Sequence, residues 1–126
     1  MANLKEYLFY SETHEWLKVE NDYGLIGITD YAQKELGNVV FIELPEKGKV
    51  FKKGEAFGSI ESVKSVSDLY APVDFGVIEV NSDLAKNPEL VNDDPYGKGW
   101  MIKVKILDKN QINSLLKSKD YEKIIS

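Results

Sequence analysis

The sequence predicts a mostly β protein, a sandwich or barrel of short strands, with short helices between them and a helix at the C-terminus. Three observations predict it. Segments rich in Val, Ile, Phe and Tyr recur at close spacing, with Gly, Pro, Asn and Asp between them. Apolar and polar residues alternate with period 2 in several of these segments, most clearly from Trp100 to Ile106. Helical spacing is confined to brief stretches, after Thr29 and after Asp108. With 126 residues, the chain has the size of one ordinary domain, residues 1–126.

Trp16–Glu20 and Leu25–Ile28 flank Asn21-Asp22-Tyr23-Gly24 and read as a hairpin around an Asn/Asp/Gly turn. Thr29 or Asp30 then caps a short helix. Asp30 and Gln33 have capping-box spacing, Gly37 supplies the stop, and Tyr31, Ala32 and Leu36 are the inward positions. Val39–Leu44 is a strand ended by Pro45, and Gly48 marks the following turn. Val50-Phe51 is a short strand, Lys52–Glu55 a turn, and Ala56–Glu61 the next strand. After it come Leu69–Val73, a turn at Asp74-Phe75-Gly76 and a strand at Val77–Val80. Asn81–Ala85 is a short polar helix or a turn. Asn87-Pro88-Glu89 starts another helix, with proline at its first position, and Asn92–Gly99 is loop. In the strand Trp100–Ile106, Trp100, Ile102, Val104 and Ile106 point inward and Lys103 and Lys105 outward. The segment from about 108 to 125 is helical: Asp108 and Gln111 match a capping box, Ile112, Leu115 and Leu116 fall at helical spacing, and Ser118 caps a last turn or two carrying Tyr121, Ile124 and Ile125.

The stretch 58–72 reads as one hairpin with Lys64 at its tip. Ile60 and Glu61 face opposite ways before the lysine; after it Val66, Asp68 and Tyr70 share one face and Ser67, Leu69 and Ala71 the other. On spacing alone, Lys64 is a solvated turn residue or a guard against edge-to-edge pairing. Strand, turn and strand precede it and strand, turn and strand follow it, a faint internal symmetry.

Composition excludes several classes of function. Net charge is −5, and 16 basic residues with no basic cluster argue against nucleic acid; an acidic surface suits basic patches on partner proteins. No apolar run has the length of a membrane span. Residues 1–7 lack the pattern of a signal or transit peptide, so the chain reads as cytoplasmic, or as a mitochondrial protein whose presequence has been removed. There is no cysteine and a single histidine, His14, which leaves no disulfide, no thiolate nucleophile and no zinc site; no loop has the spacing of a hard-cation site. No G-x-S-x-G, P-loop or dinucleotide fingerprint occurs, and Gly97-Lys98-Gly99 reads as a turn. Nothing in the pattern indicates catalysis by this chain alone.

The segment Glu61-Ser62-Val63-Lys64-Ser65-Val66-Ser67-Asp68-Leu69-Tyr70-Ala71-Pro72 resembles the lipoyl-lysine hairpin of the glycine cleavage system H proteins. The resemblance extends over nearly the whole chain, through Tyr10–Trp16, Gly27–Gln33 and Asp94–Trp100. It implies a barrel-sandwich hybrid of the lipoyl/biotinyl type, built as two quasi-symmetric halves with the carrier lysine between them. It implies lipoic acid in amide linkage to Lys64, an arm roughly 12–14 Å long by bond count. It also implies a non-catalytic carrier. Glycine decarboxylase, a pyridoxal-phosphate enzyme, places methylamine on a lipoyl sulfur. Aminomethyltransferase passes the carbon to tetrahydrofolate, dihydrolipoyl dehydrogenase reoxidises the dithiol, and a lipoate ligase or lipoyl transferase loads the lysine.

The resemblance further implies that Glu15 contacts the loaded arm, that Thr13, Ile28 and Asp68 line its cleft, and that Glu61 assists recognition for lipoylation. In two places the chain departs from the family's pattern. Phe75 stands where glycine is usual, so a rearranged turn with an exposed phenylalanine is expected, and Asn38 replaces a common aspartate. Two alternative functions share this fold: a lipoyl donor relaying the group to 2-oxoacid dehydrogenases, and a biotinyl carrier. The biotinyl family usually flanks its lysine with methionines, whereas Val63 and Ser65 flank Lys64.

Overall fold

The computed structural model describes residues 3–126, and among them nine strands form two antiparallel sheets. The strands are β1 (Phe9–Tyr10), β2 (Glu15–Glu20), β3 (Tyr23–Ile28), β4 (Val39–Glu43), β5 (Val50–Phe51), β6 (Ala56–Ser62), β7 (Val66–Tyr70), β8 (Phe75–Val80) and β9 (Ile102–Ile106). Four short helices accompany them: α1 (Asp30–Leu36), α2 (Asp83–Lys86), α3 (Leu90–Asp93) and α4 (Ser118–Ile125). One sheet has the order β1-β2-β3-β9-β8-β5 and the other the order β4-β6-β7. The symmetry suggested by the sequence is a nested pairing about Lys64, in which β6 pairs with β7 and β5 with β8.

Alternation along β2 sends neighbouring side chains to opposite faces of the larger sheet. Leu17 enters the main core with Ile26, Phe75, Ile102 and Val104, while Trp16 joins Leu8, Tyr10 and Tyr121 in a second cluster on the other side. Gly27 lies opposite Trp16, and a Cβ there would sit 2.7 Å from the indole, so the ring packs flat against bare backbone. Glu15 and Leu17 share a face. That register turns Glu15 toward the smaller sheet, where the lysine hairpin lies.

Several expectations are corrected. The β2–β3 loop is only Asn21-Asp22, with Tyr23 and Gly24 already in β3; Asn21 has φ 57°, a left-handed conformation that asparagine tolerates. Of the two capping candidates, Thr29 caps α1 by accepting the Ala32 N–H, while Asp30 accepts the Gln33 side-chain amide at 2.9 Å and pairs with Lys34. Phe75 is not an exposed turn residue. The bend lies earlier, at Pro72-Val73, and β8 begins at Phe75, which is wholly buried against the rings of Phe51 and Phe57. The chain therefore places Gly76 within the strand and shows no positive φ at Phe75.

The segment after Asp108 is a 3-10 turn, Lys109–Ser114, rather than an α-helix. Asp108 does cap it, but the Gln111 side chain accepts the Asp74 N–H. Leu116 leaves helical geometry to bridge Tyr10, and Lys117, not Ser118, precedes α4 as its cap. Tertiary demand wins over periodicity here: the segment crosses β1 before it turns back into a helix. Trp100 lies before β9, half-buried against the second cluster.

Candidate functional site

Lys64 stands exposed in the three-residue loop between β6 and β7. Ser62, buried beneath it, organises the loop. Its Oγ accepts the N–H groups of Lys64 and Ser65 at 3.3 and 3.1 Å, and its own N–H reaches the Ser65 carbonyl at 2.8 Å. The Val63 N–H donates to the Asn38 carbonyl at 3.0 Å, which docks the tip on the second residue after α1. This contact is made by backbone, so the exchange of aspartate for Asn38 leaves it intact. Gly37 ends α1 at φ 79°, where a side chain would be strained, and the Lys64 Cε lies 3.6 Å from the point a Cβ would occupy there. The lysine therefore leaves its loop beside the C-terminal end of α1.

A cleft of about 240 Å³ runs between α1 and the hairpin. Ile28, Ala32, Leu36, Ile60 and Leu69 form its apolar wall. Thr13, Glu15 and Asp68 line it as well, so four of the residues singled out in the sequence, Thr13, Glu15, Ile28 and Asp68, meet in one place. His14 and Tyr31 lie toward the first turn of α1, whereas Lys64 lies beside its last. Seven helical residues span about 10 Å, so an arm of roughly 12–14 Å anchored at Lys64 is long enough to reach along α1 into the cleft. Glu61 is not in the cleft. It is exposed on the outer face of the smaller sheet, opposite Phe41 and Val66.

Glu15 is almost wholly enclosed, and donors surround its carboxylate. Oε1 receives the hydroxyls of Ser11 at 2.6 Å and of Thr13, and Oε2 receives the Tyr70 N–H at 3.0 Å. Burial pushes its pKa above the ordinary carboxylate value, although each accepted bond pulls the other way. Asp68 and Glu35 contrast with it: both are exposed, both line the cleft, and neither carboxylate is in an ion pair among the described residues. A cationic group entering the cleft would meet these two open carboxylates.

Sequence reasoning missed the polar chain behind the cleft. Tyr121 Oη lies 2.7 Å from both His14 Nδ1 and Thr29 Oγ1, so α4 is pinned to the cap of α1. His14 takes φ 76° to reach this position, its ring lies tilted against Tyr31, and burial lowers its pKa. No local pattern marks His14 and Tyr121 as partners. Ser62 and Ser65, by contrast, carried a readable sign, because serines flanking a tip commonly bond its backbone.

The family model described as glycine cleavage H-protein matches residues 8–126. The chain is 55% identical to the glycine cleavage system H protein of Halalkalibacterium halodurans over 126 residues, covering 100% of this chain and 98% of that protein. It is 54% identical to the protein of the same name from Carboxydothermus hydrogenoformans, covering 99% and 96%. A crystal structure of a glycine cleavage system H protein from Mycobacterium marinum superposes with a TM-score of 0.89 at 33% identity, covering 95% of this chain and 97% of that one.

Proposed function

The chain belongs to the glycine cleavage H-protein family, and on that premise we propose that it is the lipoyl carrier of the glycine cleavage system, with lipoic acid in amide linkage on Lys64. The observation that carries this reading is the juxtaposition of an exposed Lys64, beside the end of α1, with a cleft between α1 and the hairpin that has an apolar wall. When bound, the lipoyl group supplies a dithiolane that takes up a one-carbon amine together with two electrons and gives both up to other enzymes.

The protein's own residues attach, shelter and release. Ser62 holds the loop so that Lys64 projects from it. Ile28, Ala32, Leu36, Ile60 and Leu69 exclude water from the cleft, which slows hydrolytic loss of a labile group held there. Asp68 and Glu35 attract a cationic amine and have nothing to offer a neutral disulfide, so the cleft favours one state of the arm over the other through differential contacts. Glu15 keeps the wall of the cleft in place through Ser11, Thr13 and Tyr70.

We assign the protein no catalytic step of its own. Its partners are then glycine decarboxylase, aminomethyltransferase and dihydrolipoyl dehydrogenase, with a lipoate ligase or lipoyl transferase loading Lys64. A cytoplasmic location belongs to the same reading and is supported by its likeness to bacterial H proteins; no helix among the described residues is long and apolar enough to cross a membrane. The lipoyl-donor and biotinyl alternatives gain no support from the family match. The test is exchange of labelled bicarbonate into glycine by purified glycine decarboxylase. Exchange should require this protein in lipoylated form and should vanish with Lys64→Arg.

A further inference from the structure

We infer that Asn92 is a positioning residue for the sheltered arm: one side chain that sets the lysine end of the cleft by tying the last turn of α1 to the tip of the hairpin. This inference rests on the lipoyl-carrier reading given above.

The sequence places Asn92 at the start of a loop, but it lies in α3, half-buried beside α1. Its amide is engaged with one short segment. Nδ2 donates to the Gly37 carbonyl at 2.8 Å and to Gln33 Oε1 at 2.9 Å, and Oδ1 accepts the Val39 N–H at 2.9 Å. These partners fix the orientation of the amide, because a backbone carbonyl only accepts and a backbone N–H only donates. They fix the Gln33 amide as well, whose Nε2 donates to Asp30 Oδ1 at 2.9 Å. Asn92 therefore bonds both peptide groups that flank Asn38.

The peptide between Asn38 and Val39 passes the constraint on. The N–H and C=O of a trans peptide point in opposite directions. Here the N–H is held by Asn92, and the carbonyl accepts the Val63 N–H at 3.0 Å, next to Lys64. Both borders of the cleft's lysine end are thus referred to one side chain. The ladder alone does not secure this place, since the β4–β6 register shifts between Val39 and Phe41, and a bulge disrupts pairing locally. The base is firm: Val91 is wholly buried in the main core, and Gly99 packs so closely that a Cβ there would lie 2.8 Å from the Leu90 carbonyl oxygen. Without the Asn92 amide, apolar contact through residues such as Leu36 and Ile60 remains, but it is non-directional and lets the two borders slide. Water then reaches the labile group.

The test uses the full-length lipoylated protein, loaded by glycine decarboxylase and then isolated, and follows ammonia release without tetrahydrofolate. Asn92→Ala should speed release by about fivefold, the factor that corresponds to one ordinary hydrogen bond. Gln33→Ala keeps a good helix former and removes one bond of the three, so it should speed release less, and it serves if Asn92→Ala does not fold. Val104→Ala, in the core of the larger sheet, should lower the unfolding temperature yet release ammonia at the wild-type rate. Asn92→Asp supplies a signature that general destabilisation lacks. Ionised, it turns an oxygen on the Gly37 carbonyl and Gln33 Oε1, and should behave like Asn92→Ala; protonated, it donates again. The ratio of its rate to that of the wild type should therefore fall as pH is lowered. Wild-type release from both Asn92→Ala and Gln33→Ala would overturn the inference. So would equal acceleration by Val104→Ala, or a ratio for Asn92→Asp that does not change with pH. A wild-type protein that releases ammonia as fast when folded as in urea would instead overturn the sheltering reading beneath it.

Discussion

The carboxylate of Glu15 accepts the backbone N–H of Tyr70 at 3.0 Å. Glu15 opens β2 in the larger sheet, and Tyr70 closes β7 in the smaller one, so this bond joins the two sheets beside the lysine hairpin. Glu15→Ala removes the acceptor for one backbone and two hydroxyl donors. It should destabilise the protein by about 1–3 kcal/mol, the cost of leaving a buried polar group unpaired. Urea denaturation measures the change, and an unchanged midpoint would show that the bond does not help hold the sheets together.

Burial raises the pKa of Glu15 in the folded state above its ordinary value of 4.5. The folded protein then binds the proton more tightly than the unfolded chain. Stability from this group is complete below about pH 4.5 and is lost as pH rises through the raised folded value. Glu15→Gln cannot titrate. The stability of the wild type relative to Glu15→Gln should therefore be greatest at the acidic end and decline as pH rises. A difference that is constant or grows with pH would contradict this sign.

The sequence reading expected Glu15 to contact the loaded arm and Asp68 to line its cleft. The Glu15 oxygens are already occupied by three donors, whereas Glu35 and Asp68 remain open. Glu35→Gln should speed ammonia loss from isolated, loaded protein without tetrahydrofolate by up to about fivefold, since exposed charge pairs contribute roughly 0.2–1 kcal/mol. Asp68→Asn should act alike, and added salt should shrink both effects. Equal rates in wild type and both variants would leave the cleft with no electrostatic part in protection.

Phe75 is enclosed by Phe51 and Phe57, with ring centroids 5.7 Å away from each. Phe75→Gly, which restores the residue usual in the family, should destabilise the protein by at least about 3 kcal/mol, because it empties a core position. A neutral or stabilising result in chemical denaturation would mean that the aromatic cluster is dispensable.

Much of the fold was legible because its signals are local. The alternation around Lys64 and from Ile102 to Ile106 reports strands directly, and Gly37 reports the end of α1. Phe75 was misread because Asp and Gly on either side of it imitate a turn, while the true bend uses Pro72. The periodicity of Ile112, Leu115 and Leu116 suggested a helix, yet the bridge from Leu116 to Tyr10 depends on a strand more than a hundred residues earlier. The site divides in the same way. Lys64, Thr13, Glu15, Ile28 and Asp68 were found through motif resemblance, and they meet around one cleft and its lysine. His14, Tyr121 and Glu35 were not found, because their roles arise only when α1 and α4 pack.

The most direct test of the carrier assignment is the intact mass of the protein purified from its own host, compared with that of Lys64→Arg expressed in the same cells with lipoate supplied. The wild type should exceed its polypeptide mass by one amide-linked lipoyl group, with fragmentation locating the group on Lys64, and Lys64→Arg should show the bare chain. A wild-type protein at the mass of the bare polypeptide, or a modification that survives in Lys64→Arg, would contradict the assignment.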